Sequence, residues 1–170
     1  MPDPIAETLQ ARFGDAIREV VEFRGETTIG VKPEAIGEVG AFLRDDPSAR
    51  YDFLSDVSAA DVWPEEPRLQ VNYHLYSMTR NQRLRLKVAV RDGQSISSVT
   101  GVWPAANWFE RETYDLFGVT FAGHPDLRRL LLPDGYLGHP LRRDAPLVVE
   151  EVEFSYNYDE VEARKPYAKE

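Results

Sequence analysis

The run Glu110-Arg111-Glu112-Thr113-Tyr114-Asp115-Leu116-Phe117 places three carboxylates and a guanidinium within eight residues, the densest group of ionisable side chains in the sequence. Read as a helix, it puts Trp108 and Phe109 on one face with Glu112 and Leu116. The carboxylate of Glu112 is then expected beside apolar surface, where it must find a partner or shift its pKa. Arg111 and Asp115 stand four apart and are expected to pair. A catalytic reading makes Glu112 a general acid with a raised pKa. The structural reading gives it a backbone donor or an arginine within an interface, and is preferred because no nucleophile or partnered histidine lies nearby in sequence.

The three histidines, His74, His124 and His139, offer no i, i+4 pair for a helical metal site. His124 and His139 each belong to a Gly-His-Pro tripeptide, and a residue before proline is driven to extended geometry, which suits paired turns better than a ring of ligands. Two arginine pairs, Arg128-Arg129 and Arg142-Arg143, stand in an otherwise acidic chain. They could contact an anion or a quinone headgroup. Charge pairing is favoured, with an acidic partner surface or with the neighbouring Asp126, Asp134 and Asp144, since the planar guanidinium fork suits interface carboxylates. There is no glycine-rich phosphate loop and no dinucleotide fingerprint.

The elements that must position these residues follow from apolar period. Ile5, Leu9 and Phe13 predict a helix over 4–13; Ala16 to Phe23 and Thr27 to Val31 read as strands joined by Arg24-Gly25-Glu26. Pro33 opens a helix with Ile36, Val39, Gly40 and Leu43 on one face, stopped at Asp45-Asp46-Pro47. Three strand candidates follow, Tyr51 to Val57, Leu69 to Tyr76 and Leu84 to Val90, the last two alternating strictly and expected to form an antiparallel hairpin. A further helix runs from near Pro104 to Gly118. The expected fold is α+β: a two-layer domain of mainly antiparallel sheet packed with helices over 1–117, followed by an extended C-terminal segment over 118–170.

That segment changes texture. Prolines 125, 133, 140 and 146 and glycines 118, 123, 135 and 138 break periodicity, yet Leu127, Leu130, Leu131, Leu132, Leu137 and Leu141 make it too apolar for a solvated linker. It is expected to need a neighbour to lie on, and to be mobile without one. The tail 147–170 carries seven carboxylates against three bases, with strand-like content in Val148, Val149, Val152, Phe154, Tyr156 and Tyr158.

Composition narrows the function. A net charge of -9 argues against nucleic-acid binding and against adsorption to anionic lipid. No run approaches the ~20 apolar residues of a membrane helix, so no direct membrane insertion is expected. The first residues lack a basic stretch followed by an apolar one, which places the expected location on the cytoplasmic side. The absence of cysteine excludes disulfides, thiolate-ligated iron–sulfur clusters and cysteine nucleophiles. No cofactor and no metal site is expected.

Residues 110–146 closely resemble the signature of the C-type (thirty-kilodalton) subunit of respiratory complex I, the NADH-quinone oxidoreductase NDH-1. The pattern is Glu-Arg-Glu, two residues, Asp, two hydrophobics, six residues, His, three residues, Arg, one residue and a hydrophobic pair. Here it is met by Glu110, Arg111, Glu112, Asp115, Leu116, Phe117, His124, Arg128, Leu130 and Leu131. The continuation Gly138-His139-Pro140-Leu141-Arg142-Arg143-Asp144 is similar to the same family.

The resemblance implies a peripheral-arm subunit without prosthetic groups, docked on the D-type (forty-nine-kilodalton) subunit that shapes the quinone cavity and close to the B-type subunit. The whole complex uses NADH and quinone, translocates protons and is bound to the cytoplasmic face of the cell membrane; the isolated subunit is expected to have no catalytic activity. The expected partner interface comprises Glu110, Arg111, Glu112, Asp115, His124, Arg128, Arg129, Leu130, His139, Arg142, Arg143 and Asp144. Alternatives are the equivalent subunit of a group 4 membrane hydrogenase, formate hydrogenlyase, F420H2 dehydrogenase or a ferredoxin-fed photosynthetic complex. Outside that class stand a free binding module and a hydrolase using Glu112 and Asp115.

Overall fold

The computed structural model describes residues 4–133, 135–145 and 154–164. Helix α1 spans Pro4–Phe13 and buries Ile5, Ala6 and Leu9. Strands β1 (Ile17–Phe23) and β2 (Glu26–Val31) form a hairpin, and helix α2 (Ile36–Asp45) buries Ile36, Val39, Gly40 and Leu43, the stripe its period predicts. Strands β3 (Phe53–Asp61), β4 (Leu69–Ser77) and β5 (Gln82–Val90) follow as an antiparallel meander. β3 begins within the expected run but continues four residues past Val57, because β4 offers it partners as far as the Asp61–Leu69 pair.

The five strands lie in the order β1-β2-β5-β4-β3, with β2 and β5 parallel and every other neighbour antiparallel. This is the expected α+β arrangement of a mainly antiparallel sheet packed with helices. On β4 the residues Leu69, Val71, Tyr73, Leu75 and Ser77 are buried while those between are half-buried, and β5 repeats the alternation from Leu84 to Val90. The buried set joins Ile5 and Leu9 of α1 and Ile36, Val39 and Leu43 of α2 in one core, so the helices occupy one face of the sheet. Burying each such aliphatic side chain contributes about 2 kcal/mol.

Two short strands escape the sequence reading. β6 (Ser95–Ser97) and β7 (Thr120–Ala122) pair in parallel on either side of helix α3 (Ala106–Phe117). They contribute Ile96 and Phe121 to the core, and Val119 is buried beside them. At three residues each they carry no measurable alternation. Trp103, before α3, packs its ring where a Cβ on Gly40 would stand 2.9 Å away, and donates from Nε1 to the Tyr51 carbonyl at 3.1 Å. Only glycine lets α2 approach that closely.

In the tail, residues 155–157 form a turn and helix α4 covers Tyr158–Arg164. The strand-like content expected at Phe154, Tyr156 and Tyr158 is therefore corrected: Phe154 and Tyr156 stack on each other, centroids 5.4 Å apart, and no strand partner is provided for them among the described residues. Val148, Val149, Val152 and Asp134 lie outside the described residues.

Candidate functional site

α3 carries the signature, and its burial departs from the sequence expectation by one helical step. The inward residues are Ala106, Glu110, Thr113 and Asp115; Glu112 is exposed, and Trp108 is 58% exposed. The expected apolar surroundings of Glu112 are thus corrected. The stripe 106-110-113 faces the sheet, with Thr113 Oγ1 donating to the Val57 carbonyl of β3 at 3.1 Å. Trp108 instead stacks under the Arg111 guanidinium, 5.2 Å from the ring centroid.

Glu110 is the carboxylate that meets apolar surface. It is completely buried, accepting from the Val99 N–H at Oε1 and the Ser98 hydroxyl at Oε2, each at 2.7 Å. Burial raises its pKa to about 7 against these two donors. Tyr73 of β4 lies close enough to feel that charge: its ionisation is raised well above the usual range, by burial first and by Glu110 second.

Asp115 is buried too, and it organises the segment beyond the helix. Its Oδ2 accepts from three consecutive backbone N–H groups, Leu130 at 3.0 Å, Leu131 at 2.8 Å and Leu132 at 2.9 Å, while Oδ1 accepts from Arg129 Nη1 at 2.8 Å. Burial would raise this carboxyl; the amides and the guanidinium outweigh it and hold Asp115 below the ordinary range. The expected Arg111–Asp115 pair does not form. Arg111 donates instead to the carbonyls of Arg128 and Arg129, both at 3.1 Å, because Asp115 points inward and is already filled.

The two Gly-His-Pro tripeptides fasten the segment to opposite ends of α3. The Asp126 N–H donates to His124 Nδ1 at 3.0 Å, so Nδ1 carries no proton and Nε2–H donates to the Asn107 carbonyl in the first turn at 3.2 Å. His139 Nδ1 donates to the Asp115 carbonyl at 2.9 Å, the Leu141 N–H to Leu116 at 3.2 Å, and Arg142 Nε to Phe117 at 2.7 Å. Carbonyls that a helix end leaves without partners are filled in succession. Gly118 makes this possible: at φ 76° it terminates the helix in the left-handed region, and a Cβ there would stand 2.5 Å from the His139 ring.

Beyond this, Arg142 pairs with Asp92 (Nη2–Oδ1, 2.8 Å), and Arg143 donates its N–H to Asp61 at 2.8 Å and its Nη1 to the Trp63 carbonyl at 2.9 Å. Asp144 bonds Arg68, which also grips the buried Asp61 at 2.6 Å. Arg128 pairs with its neighbour Asp126 at 2.7 Å, as charge pairing next door predicts; Arg129, Arg142 and Asp144 take partners far away in sequence.

The described residues of 118–146 already have one surface to lie on. The surface is the chain's own α3, and the segment is a strap along it. Glu110 and Asp115 face inward and hold the fold; Glu112, Arg128, Arg143 and Asp144 are exposed, and Arg111, His124, Arg129, Leu130, His139 and Arg142 are half-buried in the strap. Leu131, Leu137 and Leu141 project outward, Leu137 at 93% exposure. Sequence reasoning missed Ser98, Asp61, Arg68 and Asp92. The 106-110-113 spacing could have revealed Glu110, but the strap's bonds Arg68–Asp144, Arg142–Asp92 and Arg143–Asp61 span 50 to 82 residues and leave no local signal.

Together these features define an α+β domain whose last core helix carries an anchored, outward-leucine strap. Residues 29–151 match the family model described as respiratory-chain NADH dehydrogenase, 30 Kd subunit. The C-type subunit of the NADH-quinone oxidoreductase of Roseiflexus sp. (strain RS-1) is 49% identical over 167 residues, covering 98% of this chain and 96% of the relative. That of Rhodobacter capsulatus is 46% identical over 169 residues, covering 98% and 82%. The chain belongs to this family of respiratory-chain NADH dehydrogenase subunits. A chain in the structure of the membrane-bound sulfane sulfur reductase, an archaeal respiratory membrane complex, shares the fold with a TM-score of 0.69 at 21% identity, covering 98% of this chain and 94% of that one.

Proposed function

We propose that this chain is a non-catalytic structural subunit in the peripheral arm of a proton-translocating NADH:quinone oxidoreductase. It docks through α3 and its strap on the D-type subunit, close to the B-type subunit, at the cytoplasmic face of the membrane; the assembled complex, not this chain, transfers electrons from NADH to quinone. The observation that carries the reading is the division of labour in the signature. Its buried carboxylates are spent on internal hydrogen bonds, while Trp108, Leu131, Leu137 and Leu141 are turned outward. Large apolar side chains left exposed on a helix and the strap along it are what an interaction surface requires. Among the described residues no helix is long and apolar enough to cross a membrane, consistent with attachment through partners. The 45–50% identities to NADH-quinone oxidoreductase subunits favour this complex over a related one, which the fold alone does not distinguish.

The test compares Glu112→Ala and Leu137→Ala with wild type, measuring assembled complex on a native gel and quinone reduction per assembled complex. The expected result is less complex with normal turnover in what forms. Normal assembly with collapsed turnover would overturn the scaffold reading, because removing a catalytic acid lowers the rate and leaves docking alone.

A further inference from the structure

The face of the sheet opposite the helices carries a pattern that the α3 surface does not explain. On β5, Arg83, Arg85 and Lys87 alternate with the inward Leu84, Leu86 and Val88 and so form a cationic stripe along the central strand. Register sets them opposite Tyr76, His74 and Asn72 of β4, and sets Arg85 and Lys87 opposite Thr28 and Gly30 of β2. Arg85 donates to the Thr28 hydroxyl at 2.9 Å, but among the described residues none of the three cations joins an ion pair. The acids on this face, Glu19, Glu26 and Asp56, lie on the flanking strands, Glu19 folded over Gly30 and Asp56 opposite His74.

Apolar side chains border the stripe. Phe23, Phe53 and Met78 are each more than half exposed. Across this end of the face runs a cavity of about 670 Å³, lined by Phe53, His74, Tyr76, Met78, Arg83 and Arg85, with the carboxylates of Glu26 and Asp56 at its two sides. An antiparallel sheet face left to water is normally polar along its whole length. Here a row of cations that joins no ion pair among the described residues is bordered by apolar side chains, in a chain whose net charge is -9.

We propose that this bare sheet face is a second docking surface, which takes an acidic, extended segment of a neighbouring protein subunit bearing apolar side chains. Residues two apart on a strand are about 6.6 Å apart, so an extended segment with carboxylates at alternate positions matches Arg83, Arg85 and Lys87 one for one. Its apolar side chains fill the cavity beside Phe53 and Met78. Because α3 and its strap lie on the helical side, the chain would then be held between two neighbours. The inference rests on the proposed role as a subunit of a larger complex.

The test uses the whole complex. Arg83→Glu, Arg85→Glu and Lys87→Glu are combined in one variant, whose isolated chain should still fold cooperatively, with a modest fall in melting temperature because the Arg85 bond to the Thr28 hydroxyl is lost. Incorporation into the complex should fall at least tenfold, and a photo-crosslinking amino acid at position 78 of the otherwise wild-type chain should join it to an acidic segment of another subunit. Wild-type incorporation of the charge-reversed chain, or cross-links confined to the chain's own acidic tail, would overturn the proposal. If the wild-type chain itself enters no complex, the subunit role fails instead, so the two failures are distinguishable.

Discussion

Arg68, at the entry to β4, holds Asp144 across 76 residues of sequence, Nη1 to Oδ2 at 2.9 Å, while its other nitrogens grip Asp61 at the end of β3. One guanidinium thus ties the far end of the strap to the sheet. The Asp61 side chain is 1% exposed, whereas that of Asp144 is about half exposed. Arg68→Ala leaves the buried Asp61 carboxylate without its cation and should cost about 3 kcal/mol in urea unfolding. Asp144→Ala should barely move the unfolding midpoint yet speed amide exchange around residues 142–145. Equal effects of the two substitutions would contradict this division.

Asp115→Asn tests the middle of the strap. An amide can present its oxygen to the Leu130, Leu131 and Leu132 N–H groups only by turning its NH2 toward Arg129, donor against donor. Exchange at those three amides should accelerate at least tenfold, with a loss of stability of about 2 kcal/mol. In the isolated wild-type chain the same amides should be protected, since their acceptor belongs to the chain itself. Hydrogen exchange followed by mass spectrometry reads both.

Glu110 gives the pH dependence a definite direction. Its pKa, about 7 in the fold against an ordinary value near 4.3, means that the native chain holds a proton the unfolded chain has released between those pH values. Stability from this group therefore falls as pH rises through that window and levels off above 7, by roughly 3–4 kcal/mol at most. Asp61 acts oppositely: Arg68 holds it well below the usual carboxylate range, so its contribution is present above about pH 4 and is lost on acidification. Glu110→Gln keeps an acceptor for the Val99 N–H without the charge. Thermal melts from pH 5 to 8 should show the wild type losing stability and the variant remaining nearly flat.

Gly118→Ala and Gly93→Ala separate two costs of adding a methyl group. Both glycines have positive φ, 76° and 77°, but nothing lies within 4 Å of a Cβ at Gly93, whereas one at Gly118 meets His139 and Arg142. Gly93→Ala should cost about 1 kcal/mol, the conformational penalty alone. Gly118→Ala should cost clearly more and should also release the His139 and Arg142 caps, visible as faster exchange at Leu141. Equal losses would mean that the strap is not seated on the helix end.

The layered fold was legible because period carries it: the strict alternation of β4 and β5 and the Ile36, Val39, Leu43 stripe admit one inward face each. The β6–β7 pair was not, since three-residue strands are set by what they lie beside. In the signature, residue types were read correctly and orientation was not. Trp108 and Phe109 drew Glu112 toward the core in a reading by apolar content, but the sheet offers Thr113 a carbonyl and the Val99 turn offers Glu110 an N–H, and those polar contacts set the rotation of α3. The strap's anchors joined residues too distant in sequence for spacing to reveal.

The two histidine turns, one at each end of α3, make the strap a stretched string rather than a free end. Leu131, Leu137 and Leu141 are displayed from backbone positions fixed by the length of one helix, so much of the ordering entropy that a loose proline-rich peptide would lose on association has already been spent in folding. Whatever receives those leucines meets a template with preset intervals. A partner surface that fits it must match the spacing of those leucines, and a one-residue insertion between Pro125 and Pro140 would spoil that match without removing a single contact residue.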